Sequence, residues 1–506
     1  MTQLTELLLG IDIGTTNVKA VLTTPEGWII AQAQTDYPTY YPKPGWAEQD
    51  PLDWWHSTIE VSRAVLADAT VRPDQIVGIG VSGQGCAVTL IDEAGEVVRP
   101  AIIWMDTRSE PQCEHLRRCC QSEILQQNGK QPAPYNADPV LLWLLQHEPE
   151  AIAAAQTSLT TTGFINFRLT DEAVENLSDA SILFSFNLAK GAWSDELIDA
   201  FGLPRKLYPK VTPSSEIIGA LTPKAASELG LNSGVPVVAG GEDTSSAGLA
   251  IGVVERGQAL LSLGTAGTIY IVEDKPIVHP QLLAFLHVLP RQTLLGGSVA
   301  AVGAGLNWIR KLFGAEFDYL QLSEMARQCP PGAGGVIFLP YLSGELQPIN
   351  DGNARGVFFG LSMSTTPSHM VRAVLEGAAF AIAHNIDIAR EAGSTISELR
   401  AVGGPTQSDL WCRIIANITG YPVSVLANNA GAPLGNALLA AAGIGLIDDP
   451  AETARKVARI TGQYEPNLKF RDRYLEMFTI YRQLYPRLKE QFATLATIKD
   501  VHEDPQ

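Results

Sequence analysis

The chain is short of positive charge. Its 36 lysine and arginine residues face 54 aspartates and glutamates, a formal net charge of −18. That balance excludes broad nucleic-acid binding, which needs a cationic surface against phosphates. A small phosphorylated ligand is not excluded, because local N–H donors and a divalent cation can neutralise it. Cysteine is scarce and scattered: the six are Cys86, Cys113, Cys119, Cys120, Cys329 and Cys412. None forms a C-x-x-C pair, so neither a disulfide framework nor a zinc site is expected, and a reducing cytoplasm fits best. No apolar run approaches the length that crosses a bilayer, so no membrane partner is expected. No basic flank precedes the first apolar run, so a signal peptide is not expected either. The eight histidines lack H-E-x-x-H spacing, and the absence of G-x-x-x-x-G-K-[ST] rules out a P-loop. One G-x-G-x-x-G match exists, at Gly78, Gly80 and Gly83. β-Branched residues surround it and no helix opens after it, so it does not read as a dinucleotide site.

What is present points elsewhere. At 506 residues the chain is too long for one core and divides into at least two domains. Its 46% hydrophobic and 18% charged residues are the balance of a folded protein. A Gly-Thr turn occurs twice, once in each half: LLLGIDIGTT at 7–16 and ALLSLGTAGT at 259–268. Each follows an apolar run and precedes a second β-branched run, the pattern of a β-hairpin. Such a turn can present backbone N–H groups and threonine hydroxyls to phosphate oxygens. Two of them suggest a duplicated fold gripping a polyphosphate across a cleft.

The remaining pattern alternates strands and helices. Strands are expected at 7–13, 18–23 and 28–34, a helix at 51–69 capped by Asp50, and a strand at 76–81 leading into a Gly-rich loop, 82–86. This alternation indicates an α/β protein. Residues 138–231 read as a more helical insertion. A strand at 235–239 then runs into Gly240-Gly241-Glu242-Asp243 and a small-residue helix, 245–251. In the second half, helices are expected at 298–313, 367–392 and 433–444 and strands at 336–340 and 399–402, the last ending at Gly403-Gly404-Pro405. The charged tail after Asp448 is expected to form peripheral helices.

Three groups of residues carry candidate chemistry. Asp12 directly precedes the first turn, where a carboxylate would repel phosphate unless Mg²⁺ lay between them. An aspartate accepting turn N–H bonds is the alternative, and the second turn weighs against it. Lys19 could approach phosphate or stand solvated. Asp243 follows a buried strand at its C-terminal end, where α/β sheets place their sites, and could accept a proton from an attacking hydroxyl. It could equally cap the following helix, with Glu242 turned elsewhere. Trp104, Asp106 and Arg108 fall on one side of an extended segment. They suit a polyhydroxylated ligand, or a surface ion pair beside a buried tryptophan.

Longer motifs carry a resemblance. GVFFGL at 356–361, HMVRAVLE at 369–376 and FLPYLSGE at 338–345 resemble the FGGY carbohydrate kinases, most closely the xylulokinase branch. The resemblance implies two ribonuclease-H-like domains of the actin and sugar-kinase type, 1–253 and 254–506, with an interdomain cleft. It implies ATP and Mg²⁺ as cofactors, a small sugar as partner, and leaves a homodimer open. By position, Asp12, Gly14, Thr15 and Thr16 match the first phosphate motif, with Asp12 the metal ligand, and Gly264 and Thr265 the second. Gly303 and Asn307 match nucleotide-lining positions, Gly404 and Ser408 the adenosine loop, and Asp243 the catalytic base. Gln84, Gly85, Cys86, Trp104, Asp106, Tyr135 and Thr244 match the sugar contacts. The chain departs from the pattern at Gly85-Cys86, where Met-His is usual, at Thr244 for Asn, at Val140 for Lys, and at Pro405 for a small residue. Gly85 and Cys86 are expected to open the pocket and remove a polar contact, so the implied substrate is D-xylulose, another ketose, a polyol or an aldonate of the gluconate, ribulose or erythritol type. A sugar sensor without turnover, or an actin-like ATPase, would share the turns.

Overall fold

The computed structural model describes residues 6–68, 71–314, 317–427 and 431–498. Both Gly-Thr segments form hairpins. Leu7–Ile13 pairs antiparallel with Asn17–Thr23, closing at Ile13 and Val18. Gln258–Leu263 pairs with Gly267–Glu273, closing at Leu263 and Gly267. Each hairpin seeds a sheet of the same order. In the first, Leu7–Ile13 is flanked on its other edge by the parallel strand Ile76–Gly83, then by parallel Pro236–Val238 and antiparallel Ile217–Ala220. Ile29–Asp36 closes the hairpin side. In the second, Gln258–Leu263 is followed by parallel Glu398–Val402, parallel Val423–Leu426 and antiparallel Ile460–Tyr464. Thr293–Val299 closes the hairpin side, with Leu283–Leu286 added outside it. This repeated ribonuclease-H-like order meets the expectation of two α/β lobes.

Every residue of Leu7–Ile13 is buried, as a central strand covered on both faces must be. The helix Pro51–Asp68 covers one face, its start held by Leu52 N donating to Asp50 Oδ1 at 2.9 Å. Its expected end, Ala69, lies outside the described residues. The other face is covered by Ala432–Gly443, a helix from the second half of the chain. Asn436 Nδ2 donates to Ile11 O at 2.8 Å. A Cβ on Gly10 would stand 1.9 Å from Pro433 O, and one on Gly80 2.3 Å from Asn436 O. The glycines of the G-x-G-x-x-G match thus serve helix-on-strand packing inside Ile76–Gly83, with no helix opening after them. The lobes are therefore laced together, with Leu8, Val238, Leu249, Leu434 and Leu438 in one apolar cluster.

The tail differs from expectation. Ile460–Tyr464 is a strand of the second sheet. The helix Arg471–Thr497 buries Tyr474, Tyr481 and Phe492 in the largest core cluster. Hydrophobic residues at helical spacing outweigh the charged majority around them. Among the described residues no helix is long and apolar enough to cross a membrane.

The insertion holds a buried acid pair. Glu175 accepts from Thr160 N at 2.6 Å and Thr160 Oγ1 at 2.8 Å. Burial, then the neighbouring Asp179, pushes Glu175 up to about 8, and burial pushes Asp179 up to about 7. Groups whose folded pKa is raised stabilise below their unfolded pKa and lose that contribution as pH climbs through the folded one. The melting temperature is therefore expected to fall between pH 5 and pH 9, and Glu175→Gln, which still accepts from Thr160 N and can donate its amide N–H to Thr160 Oγ1, to flatten that fall. Parallel wild-type and variant melting curves check this.

Candidate active site

The two parallel strands of the first sheet deliver their C-terminal ends to one place. Ser82 Oγ donates to Asp12 Oδ1 at 2.7 Å, and Gln84 N donates to Ile13 O at 2.8 Å. The first turn is braced on both sides. Gln49 Nε2 donates to Thr15 O at 2.8 Å, Trp104 Nε1 donates to Thr15 Oγ1 at 3.0 Å, and Tyr37 OH donates to Gly14 O. Thr16 stays exposed, its Oγ1 accepting from Asn17 Nδ2 at 3.3 Å and its proton left for a ligand. Asp12 is almost fully buried, and burial followed by the Asp243 charge pushes its carboxyl up to about 7, with Lys19 opposing.

Gly241–Glu242 runs parallel to Ile76–Gly83 and turns straight into the helix Asp243–Ala250. The cap of that helix is Glu242, whose Oε2 accepts from Ser245 N at 2.8 Å. Asp243 is therefore free of capping and lies in the first turn. Its Oδ1 accepts from Thr244 Oγ1 at 2.9 Å. Glu242 is expected from the sequence to point elsewhere. Instead it lines the same cavity as Asp243, and burial plus the Asp243 charge holds it well above the usual carboxylate range.

That cavity has a volume of about 270 Å³. Of the expected sugar contacts, Gln84, Gly85, Cys86, Trp104, Tyr135 and Thr244 line it together with Asp243 and Thr15. Gln84 Nε2 donates to Gln49 Oε1 at 2.7 Å, while its own Oε1 is buried without a partner. A buried acceptor left unpaired costs about 1–3 kcal/mol, which a ligand hydroxyl would relieve. Asp106 is a correction. It is fully buried, its Oδ2 accepting from Ala47 N at 2.6 Å and Arg108 Nη2 at 2.7 Å, its Oδ1 from Arg108 N at 2.8 Å. Residues 103–106 form a turn, Asp106 N donating to Ile103 O at 2.9 Å, so Trp104 and Asp106 point apart. The ion pair wins, inside the fold.

The expected opening at Gly85 is also corrected. A Cβ on Gly85 would meet Ile182 Cδ1 at 3.1 Å, so the insertion fills the vacated space. Cys86 takes φ +62°, with Asn136 Nδ2 4.0 Å from its Sγ. Sequence reasoning did not foresee Lys130, ahead of the insertion, or Ile182 within it, nor Thr268, Tyr270, Leu283, Phe285 and Ser298 from the second sheet. Only Thr268, inside the second Gly-Thr motif, carried a signal.

The second turn has its own surroundings. Gly264 and Thr265 are exposed, and the helix Gly303–Phe313 starts on them: Gly303 N donates to Gly264 O at 2.9 Å and Ala304 N to Thr265 O at 3.0 Å. Asn307 lies one turn along that helix, its Oδ1 accepting from Arg310 Nη2 at 3.3 Å. Gly404 follows Glu398–Val402, the strand parallel to the hairpin, and Ser408 caps Asp409–Thr419 by accepting from Trp411 N at 3.3 Å. These six residues surround the ends of two neighbouring strands in the second lobe, outside the cavity that holds Asp243. Among the described residues no group of three or more His, Cys, Asp or Glu side chains forms a ready metal cluster.

The N-terminal domain model of the FGGY family of carbohydrate kinases matches residues 7–250, and its C-terminal domain model matches residues 259–444. The chain is 36% identical over 439 residues to a xylulose kinase of Escherichia coli strain K12, covering 86% of this chain and 89% of that one. It superposes on the structure of xylulose kinase from Rhodospirillum rubrum with a TM-score of 0.92 at 31% identity, covering 96% of this chain and 100% of that one. On gluconate kinase from Lactobacillus acidophilus the TM-score is also 0.92, at 27% identity, covering 97% and 99%.

Proposed function

Because the chain belongs to the FGGY family of carbohydrate kinases, we propose that it transfers the γ-phosphate of ATP to a terminal hydroxyl of xylulose or a related open-chain sugar, with Asp243 as base. The observation that carries this reading is the meeting of Asp243, Gln84 and Thr15 on one cavity, with Asp243 close enough to Asp12 to raise its pKa. Acceptor, sugar-hydroxyl partner and phosphate turn then share one space.

Asp243 accepts from Thr244 Oγ1 at 2.9 Å, beside the Glu242 carboxyl that burial holds well above the usual carboxylate range. The substrate hydroxyl gives its proton to Asp243 while its oxygen bonds to the γ-phosphorus. The bond from that phosphorus to the bridging oxygen breaks, and ADP leaves with the electron pair. Backbone N–H groups and hydroxyls of Thr15 and Thr16, and of Thr265, hold the phosphate charge, while the Gly14 and Gly264 N–H groups close the turns on Asn17 O at 3.0 Å and Ala266 O at 2.8 Å. Gly303, Asn307, Gly404 and Ser408 hold the nucleoside. Mg²⁺ fits the donor set at Asp12, a buried carboxyl facing a second carboxylate with Lys19 as opposing charge. When bound there it would neutralise phosphate charge, as a hard cation shared between a carboxylate and phosphate oxygens does.

The relatives named for xylulose and gluconate support an open-chain sugar as acceptor. The retained Asp243 beside Gln84 favours turnover over the sensor reading. ADP release measured across pentuloses, hexuloses, polyols and aldonates tests this. Release that depends on one of these sugars is expected. Equal hydrolysis of ATP with and without sugar would point to the actin-like reading, and sugar binding without release to the sensor.

A further inference from the structure

We propose that this kinase selects an acceptor with a hydrocarbon end, a deoxy ketose or deoxy polyol, through an apolar wall formed by Ile182, Leu283 and Phe285. The inference rests on the kinase reading above and names the class of sugar that the same cavity takes.

The wall is a continuous apolar surface. Ile182 and Leu283 pack against a cluster that includes Phe285 and Tyr270, and the last two rings meet edge to face with centroids 5.0 Å apart. Ile182, Leu283 and Phe285 all line the sugar cavity. Ile182 and Leu283 are only half-buried, so the surface they leave uncovered is available to a ligand. Ile182 stands where a side chain at position 85 would otherwise reach, since a Cβ on Gly85 would lie 3.1 Å from its Cδ1. The exchange is between a residue of the sugar loop and a branched hydrocarbon from the insertion.

The amine next to the wall has nothing left to offer. Lys130 is fully buried at the cavity, and its amino group donates to Asn128 Oδ1 at 3.0 Å, Ser181 O at 3.0 Å, Ala284 O at 2.5 Å and Asn128 O at 3.4 Å. Four acceptors outnumber its protons, and the Ser181 and Ala284 carbonyls flank Ile182 on one side and Leu283 and Phe285 on the other. The Cys86 thiol, pushed up by burial, stays neutral beside Asn136. Hydroxyl-directed capacity lies instead with Gln84, whose Oε1 lacks a partner, and with Tyr135 and Thr244. A sugar hydroxyl pressed on Ile182, Leu283 and Phe285 would lose its water and find no replacement, whereas a methyl group loses nothing.

The test compares a 2-ketose with its 1-deoxy counterpart, which keeps the terminal accepting hydroxyl, by ADP release. An apolar pocket disfavours an added hydroxyl by at most about a hundredfold, so kcat/KM for the deoxy sugar is expected to exceed that of its parent by about tenfold or more. Ile182→Thr, which puts a hydroxyl on the wall, is expected to bring the ratio close to one, with Leu283→Thr as the second variant. A deoxy sugar no better than its parent in the wild-type enzyme overturns the inference and leaves the kinase reading standing. A ratio unchanged in both variants overturns the assignment to this wall. An enzyme that phosphorylates no sugar overturns both readings together.

Discussion

Asp243→Asn is expected to lower sugar-dependent ADP release by about 10²–10⁴-fold, the range over which a positioned proton acceptor contributes. The change removes basicity and keeps shape. Asparagine can still accept from Thr244 Oγ1, now 2.9 Å from Asp243 Oδ1. The helix stays capped, because the cap is Glu242 and not Asp243. Folding should therefore survive, and the melting temperature should move little. Sugar affinity by calorimetry should also persist, since Gln84 and Trp104 are untouched. A loss in kcat with retained binding assigns the proton-accepting role to this residue. A variant that keeps most of its sugar-dependent rate would mean that another group takes the proton, and the reading of the cavity would fall.

Gly435→Ala should damage the same step from a distance. Gly435 lies in the helix Ala432–Gly443, which crosses the helix that begins with Asp243. A Cβ there would stand 2.1 Å from Ser246 O, a backbone atom that cannot swing away. The two helices must separate, and overpacking of this kind costs about 1–3 kcal/mol. The better helix propensity of alanine offsets about 1 kcal/mol of that. The mechanistic consequence is larger than the thermodynamic one. Displacing a reacting group by about 1 Å can cost about 10²-fold in rate, and Asp243 rides on the displaced helix. The expected result is a melting temperature lower by several degrees and a kcat reduced by up to about 10²-fold. Gly352→Ala, where a Cβ meets nothing within 4 Å, is the control and should leave both unchanged. Full kcat in Gly435→Ala would show that the crossing does not position Asp243.

Much of the site was legible without the fold because its signals are local. A hairpin needs only a turn and two apolar runs, and both Gly-Thr turns closed where the pattern placed them. Asp243 was legible because a buried strand ending in two glycines leaves few uses for the aspartate that follows. Glu242 was misjudged for a local reason as well. Neighbouring side chains diverge, but here the first of the pair satisfies a helix N–H while still reaching the cavity. Asp106 showed the limit of spacing arguments. Two residues on one side of an extended segment separate once a turn forms between them, and Arg108 draws the carboxylate inward.

Alone, the order of residues determined the duplicated α/β plan, the two Gly-Thr hairpins and the family, and singled out Asp243, because each depends on contacts between near neighbours or on motifs read in one stretch. Tertiary structure decided what the cavity is made of. Lys130 reaches Ala284 across 154 residues of sequence, and Ile182 fills the space beside Gly85. A helix from the second half of the chain packs on the first sheet. Such pairings depend on which distant segments share a volume, and side-chain volume is excluded in space, not along the chain.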